Sequence, residues 1–251
     1  MKFTKENLVA KSTHKEFYRS GDVFCKVFDD TYSKADILNE ALNQARVEET
    51  GLHIPVLREI EKVNGKWAIE YDFIEGRTLK SLMDENPDKE DEYLEFFVDL
   101  QLDIHSRTCP MLGRLIEKMQ RKISASSFDA TTRYELHTRL DGMHVHTKLC
   151  HGDFNPSNII ISEDGTPYVI DWAHATQGNA SADVARTYLL FCLEGRQEFA
   201  DKYLDLFCKK SDTAKQYVQK WMPIVAASQS VKGRPEEKEF LEKWVNVVEY
   251  E

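Results

Sequence analysis

The chain has no run of about 18 apolar residues, so no membrane-spanning helix is expected. Its opening residues, Met1-Lys2-Phe3-Thr4-Lys5-Glu6-Asn7, lack the apolar core of a secretory signal, which makes the cytoplasm the expected location. Cysteine is sparse: Cys25, Cys109, Cys150, Cys192 and Cys208 are scattered, odd in number and form no Cys-x-x-Cys pair. That speaks against a disulfide framework or a cysteine zinc site and leaves small apolar side chains in a reducing compartment. Positive charge is in deficit, with a formal net charge of -10, so the basic face that nucleic-acid binding requires is not expected. The acidity serves solubility first and is also compatible with a cationic ligand. Internal repeats and low-complexity tracts are absent as well. What remains, 41% hydrophobic and 30% charged over 251 residues, is an ordinary globular composition with ample length for a buried core.

The first third reads as strands plus one helix. Residues 16 to 28 place aromatic and β-branched side chains on both sides of Ser20-Gly21-Asp22, the pattern of a hairpin. Ser33 to Thr50 reads as a helix capped by Ser33 and stopped by Gly51, with Ile37, Ala41, Leu42 and Ala45 on its apolar face. Val56 to Ile60 and Trp67 to Ile74 read as strands around Asn64-Gly65, a strong hairpin turn. After Glu75-Gly76 the character changes: residues 77 to 148 look helical, with breaks at Asn86-Pro87 and Cys109-Pro110. A second hairpin joins Ile159-Ile160-Ile161 to Tyr168-Val169-Ile170. From Ser181 onward the chain reads as four helices, with breaks near Gly195, Ser211-Asp212 and Gly233-Arg234-Pro235. The partition is therefore a β-rich lobe, residues 1–76, and a helical lobe, residues 77–251, with an interlobe cleft as the natural place for a ligand.

Chemistry concentrates in His151-Gly152-Asp153-Phe154-Asn155-Pro156-Ser157-Asn158, which leads into one strand of the second hairpin. The other strand ends at Ile170-Asp171-Trp172. Asn158 follows Asp153 by five residues and Asp171 follows it by eighteen, so two carboxylates and an amide gather around one short hairpin. Such oxygen donors suit magnesium, which completes its shell with phosphate and water. Phosphoryl transfer needs metal and cation on the phosphates and a carboxylate that orients the attacking hydroxyl. Taken singly, Asp153 reads first as a turn cap and Asn158 as a loop amide.

Together these runs resemble the catalytic and metal-binding loops of the aminoglycoside phosphotransferase and choline kinase superfamily. That family carries His-Gly-Asp and Ile-Asp-Trp or Ile-Asp-Phe where protein kinases carry His-Arg-Asp and Asp-Phe-Gly. The resemblance implies an α+β, bilobal, protein-kinase-like fold, with a small antiparallel-sheet N-lobe and a mainly helical C-lobe. It makes Asp153 the catalytic carboxylate and Asn158 and Asp171 the magnesium ligands. Lys26, at a strand position, would hold the nucleotide phosphates and pair with Glu40 of the following helix. The phosphate-covering loop falls on Lys11 to Lys15. It contains no glycine, so Ser12 and Thr13 would line it by hydroxyl and backbone N–H groups. Asp72, Phe73 and Ile74 fall at the interlobe hinge, where backbone groups would meet the purine edge. Val27 reads as core, and Ile54-Pro55-Val56 and Ile170 as walls around the base. Asp183 and His151 are expected to support the catalytic loop. His14, His105 and His144-Val145-His146 form no metal cluster and read as packing or surface residues.

The phosphate donor implied is ATP or GTP with Mg2+, and the acceptor is a hydroxyl of a small molecule. Only twelve residues separate Asp171 from Asp183, and no Ala-Pro-Glu anchor follows, so the peptide-docking platform of a protein kinase is not expected. An aminoglycoside, a choline-like amino alcohol or a related metabolite fits an acidic lobe. Trp172 is the first aromatic candidate for an ammonium group. A nucleotide-binding module without phosphotransfer is the alternative, motivated by the glycine-free loop, and a protein kinase is the third reading, behind it.

Overall fold

The computed structural model describes residues 5–245; Met1 to Thr4 and the last six residues, which enter the signal reading and the last expected helix, lie outside it. In chain order the elements begin with β1 (Leu8–Lys11), β2 (Lys15–Ser20), β3 (Val23–Phe28), α1 (Lys34–Glu48), β4 (Leu57–Val63), β5 (Lys66–Asp72), β6 (Gly76–Thr78) and α2 (Leu79–Glu85). They continue with α3 (Glu90–Ser106), α4 (Leu115–Ala125), α5 (Ala130–Asp141), β7 (Lys148–Cys150), β8 (Ile159–Ser162), β9 (Pro167–Val169) and β10 (Thr176–Gly178). The chain closes with α6 (Ala180–Leu193), α7 (Gln197–Ser211), α8 (Lys215–Gln219), α9 (Met222–Ser230) and α10 (Lys238–Val245). These elements form two compact units, Met1–Pro87 with Pro156–His174 and Asp88–Asn155 with Ala175–Glu251.

The first unit is built on a five-stranded antiparallel sheet of order β1-β2-β3-β5-β4. Asn64 and Gly65 both adopt positive φ, 51° and 86°, as a two-residue turn between Val63 and Lys66 demands. Helix α1 starts where Ser33 accepts the Asp36 N–H at 3.1 Å. Phe28, Ile69 and Tyr71 of the sheet bury against Ile37 and Ala41 of the helix. Leu42, expected on that face, is 47% exposed instead. Residues one step apart lie about 100° apart around a helix, and the inward arc is taken by Glu40, Asn43, Gln44 and Val47. The polar members are satisfied there: Gln44 donates to the Pro55 carbonyl at 2.6 Å and Asn43 to the Ala173 carbonyl at 3.2 Å. Strand β5 stops at Asp72, so Phe73 and Ile74 lie beyond it. A second sheet, β6-β8-β9, pairs Ile159 with Val169. Gly76 is required in β6, because a Cβ there would run into the Ile161 backbone.

The second unit is mainly helical, with the short β7–β10 ladder that pairs Cys150 with Thr176. Two strands thus interrupt or bound what read as a helical stretch: β6 at its start and β7 at its end. The C-terminal part holds five helices among the described residues, not four. Pro223 sits in the first turn of α9, where its missing N–H costs nothing, and prevents one helix from running on from α8. Phe97, Phe154, Phe191 and Tyr203 make an aromatic core in which the Phe97 and Phe154 rings stack at 4.5 Å. All five cysteines are free, four of them buried. No helix among the described residues is long and apolar enough to cross a membrane.

Candidate active site

In the first unit, β3 carries Lys26 inward, with 6% of its surface exposed. Its Nζ donates to Glu40 Oε1 at 2.5 Å and to Asp171 Oδ1 at 3.0 Å. Lys15 of β2 joins from the other side, 3.6 Å from Glu40 Oε2, with its ammonium over the Phe28 and Tyr32 rings at 5.3 and 5.0 Å. Asp171 takes φ +64°, a left-handed conformation that aspartate tolerates better than most residues. Burial opposes charge on Lys26 and Asp171, but each outweighs it for the other. The Asp171 and Glu40 carboxylates raise the Lys26 pKa well above the lysine range, while Lys26 and then Lys15 hold Asp171 far below the carboxylate range. Burial, then Lys26, lowers the pKa of Lys15, with Glu40 and Asp171 opposing.

These groups open on a cavity of about 210 Å³ within the same unit. Phe24, Tyr71, Ile160 and Ile170 give it apolar walls, and Lys26, Asn158 and Asp171 a polar end. Asp72, Phe73 and Ile74 run along it, and Pro55 adds to the wall, whereas Val56 is 48% exposed and outside it. The N–H groups of Asp72 and Phe73 are already given to the carbonyls of Val56 and Asp22, at 2.9 and 2.8 Å. The Asp72 carboxylate is held by Arg58 at 2.5 Å, and Arg19 lies 3.7 Å over the Phe73 ring. Asn158 and Asp171 thus both line the cavity, as an amide and a carboxylate, hard oxygen donors that fit magnesium with most of its shell left to phosphate and water. No cluster of three or more His, Cys, Asp or Glu side chains suited to a metal occurs among the described residues.

Ser12 and Thr13 are not part of that cavity. They form an exposed turn between β1 and β2, where the Ser12 N–H donates to the Lys15 carbonyl at 2.8 Å and the Ser12 hydroxyl closes the same turn. Their neighbour His14 pairs with Asp29 at 2.9 Å. Trp172 also departs from expectation: it is 1% exposed and its indole N–H donates to the Val169 carbonyl at 3.0 Å, so its ring offers no face to a ligand. A large apolar ring directly after a strand end is drawn into the core.

The second unit holds Asp153 on a loop fixed from beneath. Gly152 has φ +80°, which glycine adopts without strain. Asp183, in the first turn of α6, accepts the Gly152 N–H at 2.6 Å and the His151 N–H at 3.1 Å, and its second partner on Oδ2 is His105 Nε2 at 3.0 Å. Burial would raise the Asp183 pKa, but the His105 hydrogen bond leads a set of contacts that lowers it. Buried His151 accepts the Asp153 N–H at 3.2 Å, and Thr187 donates to the Phe154 carbonyl at 2.9 Å. The Asp153 side chain is 27% exposed and meets Arg186 at 3.3 Å. The sequence reading missed Arg186, Lys15 and the role of His105. Arg186 had a readable signal, since three residues after Asp183 puts it on the same helix face.

An antiparallel sheet with a lysine–glutamate–aspartate triad on a cavity, joined to a helical unit whose aspartate loop is anchored by a helix N-terminus, defines a phosphotransferase of the protein-kinase-like fold. Solved structures of low identity share this fold. A thermostable mutant of the aminoglycoside phosphotransferase APH(4)-Ia, in ternary complex with ADP and hygromycin B, superposes with a TM-score of 0.71 at 12% identity, covering 95% of this chain and 91% of that one. The choline kinase LicA from Streptococcus pneumoniae gives 0.64 at 16% identity over 96% and 93%. An aminoglycoside-3'-phosphotransferase of type VIII gives 0.64 at 16% over 87% and 90%. No curated protein sequence matches. The model of the phosphotransferase enzyme family, APH, matches residues 10–218, and the chain belongs to that family. It is by class a small-molecule kinase.

Proposed function

We propose that this protein transfers the γ-phosphoryl group of ATP or GTP, with magnesium, to a hydroxyl of a small molecule in the cytoplasm. The observation that carries the reading is Lys26, bridged to both Glu40 and Asp171 at the polar end of a cavity with apolar walls. Lys26 then binds the donor's phosphates, held in place by Glu40, and Lys15 adds a second cation beside them. Asn158 and Asp171 hold the magnesium, which when bound would neutralise charge on the phosphate oxygens. The base lies along Phe24, Ile160 and Ile170, with its edge toward Asp72, Phe73 and Ile74. Because the N–H groups of Asp72 and Phe73 are engaged, that edge is met by their carbonyls and by groups further along the chain. Residues 1–76 serve the nucleotide together with the segment Pro156–His174, and the rest of residues 77–251 serves catalysis and the acceptor.

Asp153 orients the acceptor hydroxyl and accepts its proton as the oxygen bonds to the γ-phosphorus and the bond to the leaving nucleoside diphosphate breaks. By likeness to the relatives, the acceptor is an aminoglycoside, an amino alcohol or a related metabolite. The interval after Asp171 supports a small acceptor over a peptide, since it is filled by a short helical turn at Trp172–His174 and by β10. The test is phosphate transfer from labelled ATP and GTP across a panel of hydroxylated acceptors. Asp153→Asn should reduce turnover by a factor of about 100 or more while nucleotide binding persists. Asp171→Ala should abolish the magnesium-dependent part of nucleotide affinity. Unchanged turnover in Asp153→Asn would sink the assigned role. Nucleotide binding without transfer to any acceptor would favour the binding-module alternative.

A further inference from the structure

The turn between β1 and β2, where a phosphate-covering loop is expected, offers little backbone to a ligand. Two of its N–H groups are used within it: Ser12 donates to the Lys15 carbonyl at 2.8 Å, and Lys15 to the Ser12 hydroxyl at 3.2 Å. A glycine-rich loop cradles phosphate with such groups. What this turn sends inward instead is the Lys15 side chain, 15% exposed, while Ser12, Thr13 and His14 stay at the surface. Register places that lysine. Strand β3 runs away from Asp72, which it meets at Val23. Phe24, Lys26 and Phe28 follow on one face, since Phe24 and Phe28 share a core cluster and Cys25 and Val27 pack on the other side. On β2, Phe17 lies opposite Lys26 and Lys15 opposite Phe28. Lys15 thus leaves the sheet two residues, about 7 Å, further from Asp72 than Lys26 does. Phe24 and Lys26 line the cavity, and Lys15 lies beyond its lining.

The two ammonium groups divide one carboxylate unequally. Lys26 takes Glu40 Oε1 at 2.5 Å and Asp171 at 3.0 Å, whereas Lys15 stands 3.6 Å from Glu40 Oε2. That contact is looser than a charge-assisted hydrogen bond. Its other neighbours are the Phe28 and Tyr32 rings. Lys26 is committed to two carboxylates, and Lys15, with three N–H donors, has capacity for a further anion. Resting on the reading of this cavity as the donor site, we infer that Lys15 recognises the terminal phosphoryl group of the donor and so distinguishes the nucleoside triphosphate from the diphosphate left after transfer. With the base along Phe24 and the inner phosphates at Lys26, the phosphate chain extends in the direction in which Lys15 follows. A compact ammonium on a flexible stem meets that group without a fixed fork geometry. Once the phosphoryl group has passed to the acceptor, the diphosphate keeps Lys26 and loses Lys15.

The test measures binding and needs no acceptor. Calorimetry with magnesium compares AMP-PNP with ADP, and GMP-PNP with GDP. Lys15→Met should weaken the triphosphate analogue of the series that binds roughly tenfold and leave the diphosphate within about twofold. The retained diphosphate affinity shows that the variant is folded. Equal weakening of both overturns the inference, by giving Lys15 to the inner phosphates or to the fold. An unweakened triphosphate analogue overturns it as well.

Labelling of the wild-type protein gives a second measurement that no folding defect can confuse. Acetic anhydride acylates a neutral lysine amine, forming an amide and releasing acetate and a proton. A saturating triphosphate analogue with magnesium should slow acylation of Lys15, read by peptide mass spectrometry, several-fold more than the saturating diphosphate does. Equal protection overturns the inference. Wild-type protein that binds neither series overturns the donor-site reading, and the inference with it. Nucleotide binding with equal effects at Lys15 overturns the inference alone and leaves that reading in place.

Discussion

Replacing Glu40 by Gln removes one charge and almost no volume, which isolates the electrostatics of the buried pair. Lys26 and Glu40 have only 7% and 8% side-chain exposure and meet at 2.5 Å. Removing one member of such a pair costs about 3–5 kcal/mol when the surviving charge has no other partner. Lys26 keeps Asp171 at 3.0 Å, so the loss should fall to that of a charge-assisted hydrogen bond, about 1.5–3 kcal/mol. In a chain of this size 1 kcal/mol moves Tm by about 2–4 °C, which gives a fall of roughly 3–12 °C. Thermal unfolding without nucleotide, at neutral pH and low salt, measures it. A Tm within about 1 °C of the wild type would refute the claim that Glu40 stabilises a buried cation. The double variant Lys26→Met, Glu40→Leu provides the internal control. It removes both charges and should be less destabilised than the two single changes added together. Strict additivity would mean that the two side chains act independently, against the 2.5 Å contact.

Three further outcomes follow from other parts of the molecule. Lys15→Met should raise the KM for ATP roughly tenfold with kcat little changed; an unchanged KM would remove Lys15 from the phosphate site. Asp183 has a folded pKa below its ordinary value, so its stabilisation is present above the unfolded pKa near 4 and is lost as pH falls through the folded value. The Tm gap between wild type and Asp183→Asn should therefore be widest near pH 7 and narrow as the medium is acidified, and a constant gap would contradict the assignment. Gly76→Ala should destabilise by about 1–3 kcal/mol, because the new methyl meets the Ile161 backbone rather than a movable side chain. Denaturant unfolding would show this, and a neutral result would mean that β6 can shift away from β8.

Much of the first unit was legible because its signals are local. Asn64-Gly65 and Ser20-Gly21-Asp22 dictate turn geometry, and Ser33 dictates where α1 begins, irrespective of the rest of the chain. The nearness of Asn158 and Asp171 was legible for a similar reason, since a hairpin fixes which residues its ends present. The misreadings share a non-local cause. Leu42 reads as core from periodicity, yet Gln44 and Asn43 take the inward arc through carbonyls at Pro55 and Ala173, one of them distant in sequence. Trp172 reads as a ligand platform from its place after Asp171, yet the core beneath β9 claims it. Arg186 of α6 meets Asp153 at 3.3 Å, and no count of charges over 251 residues reveals that pairing. A net charge of -10 describes the chain and not the surroundings of one carboxylate.

The discontinuity of the first unit has a consequence for how the chain comes to be folded. Its sheet, its helix and Lys26 are made early, but the segment Pro156–His174 that completes it arrives only after α3, α4, α5 and β7 have been synthesised. Until then Lys26 has Glu40 but lacks Asp171, and Ile160 and Ile170 are missing from the cavity wall. Closing that unit requires a loop through the intervening polypeptide, a high-separation contact that slows folding and leaves apolar surface waiting. The nascent N-terminal sheet is therefore the stage most in need of protection. A ribosome halted before residue 156 would present a half-built cavity with no means of finishing it.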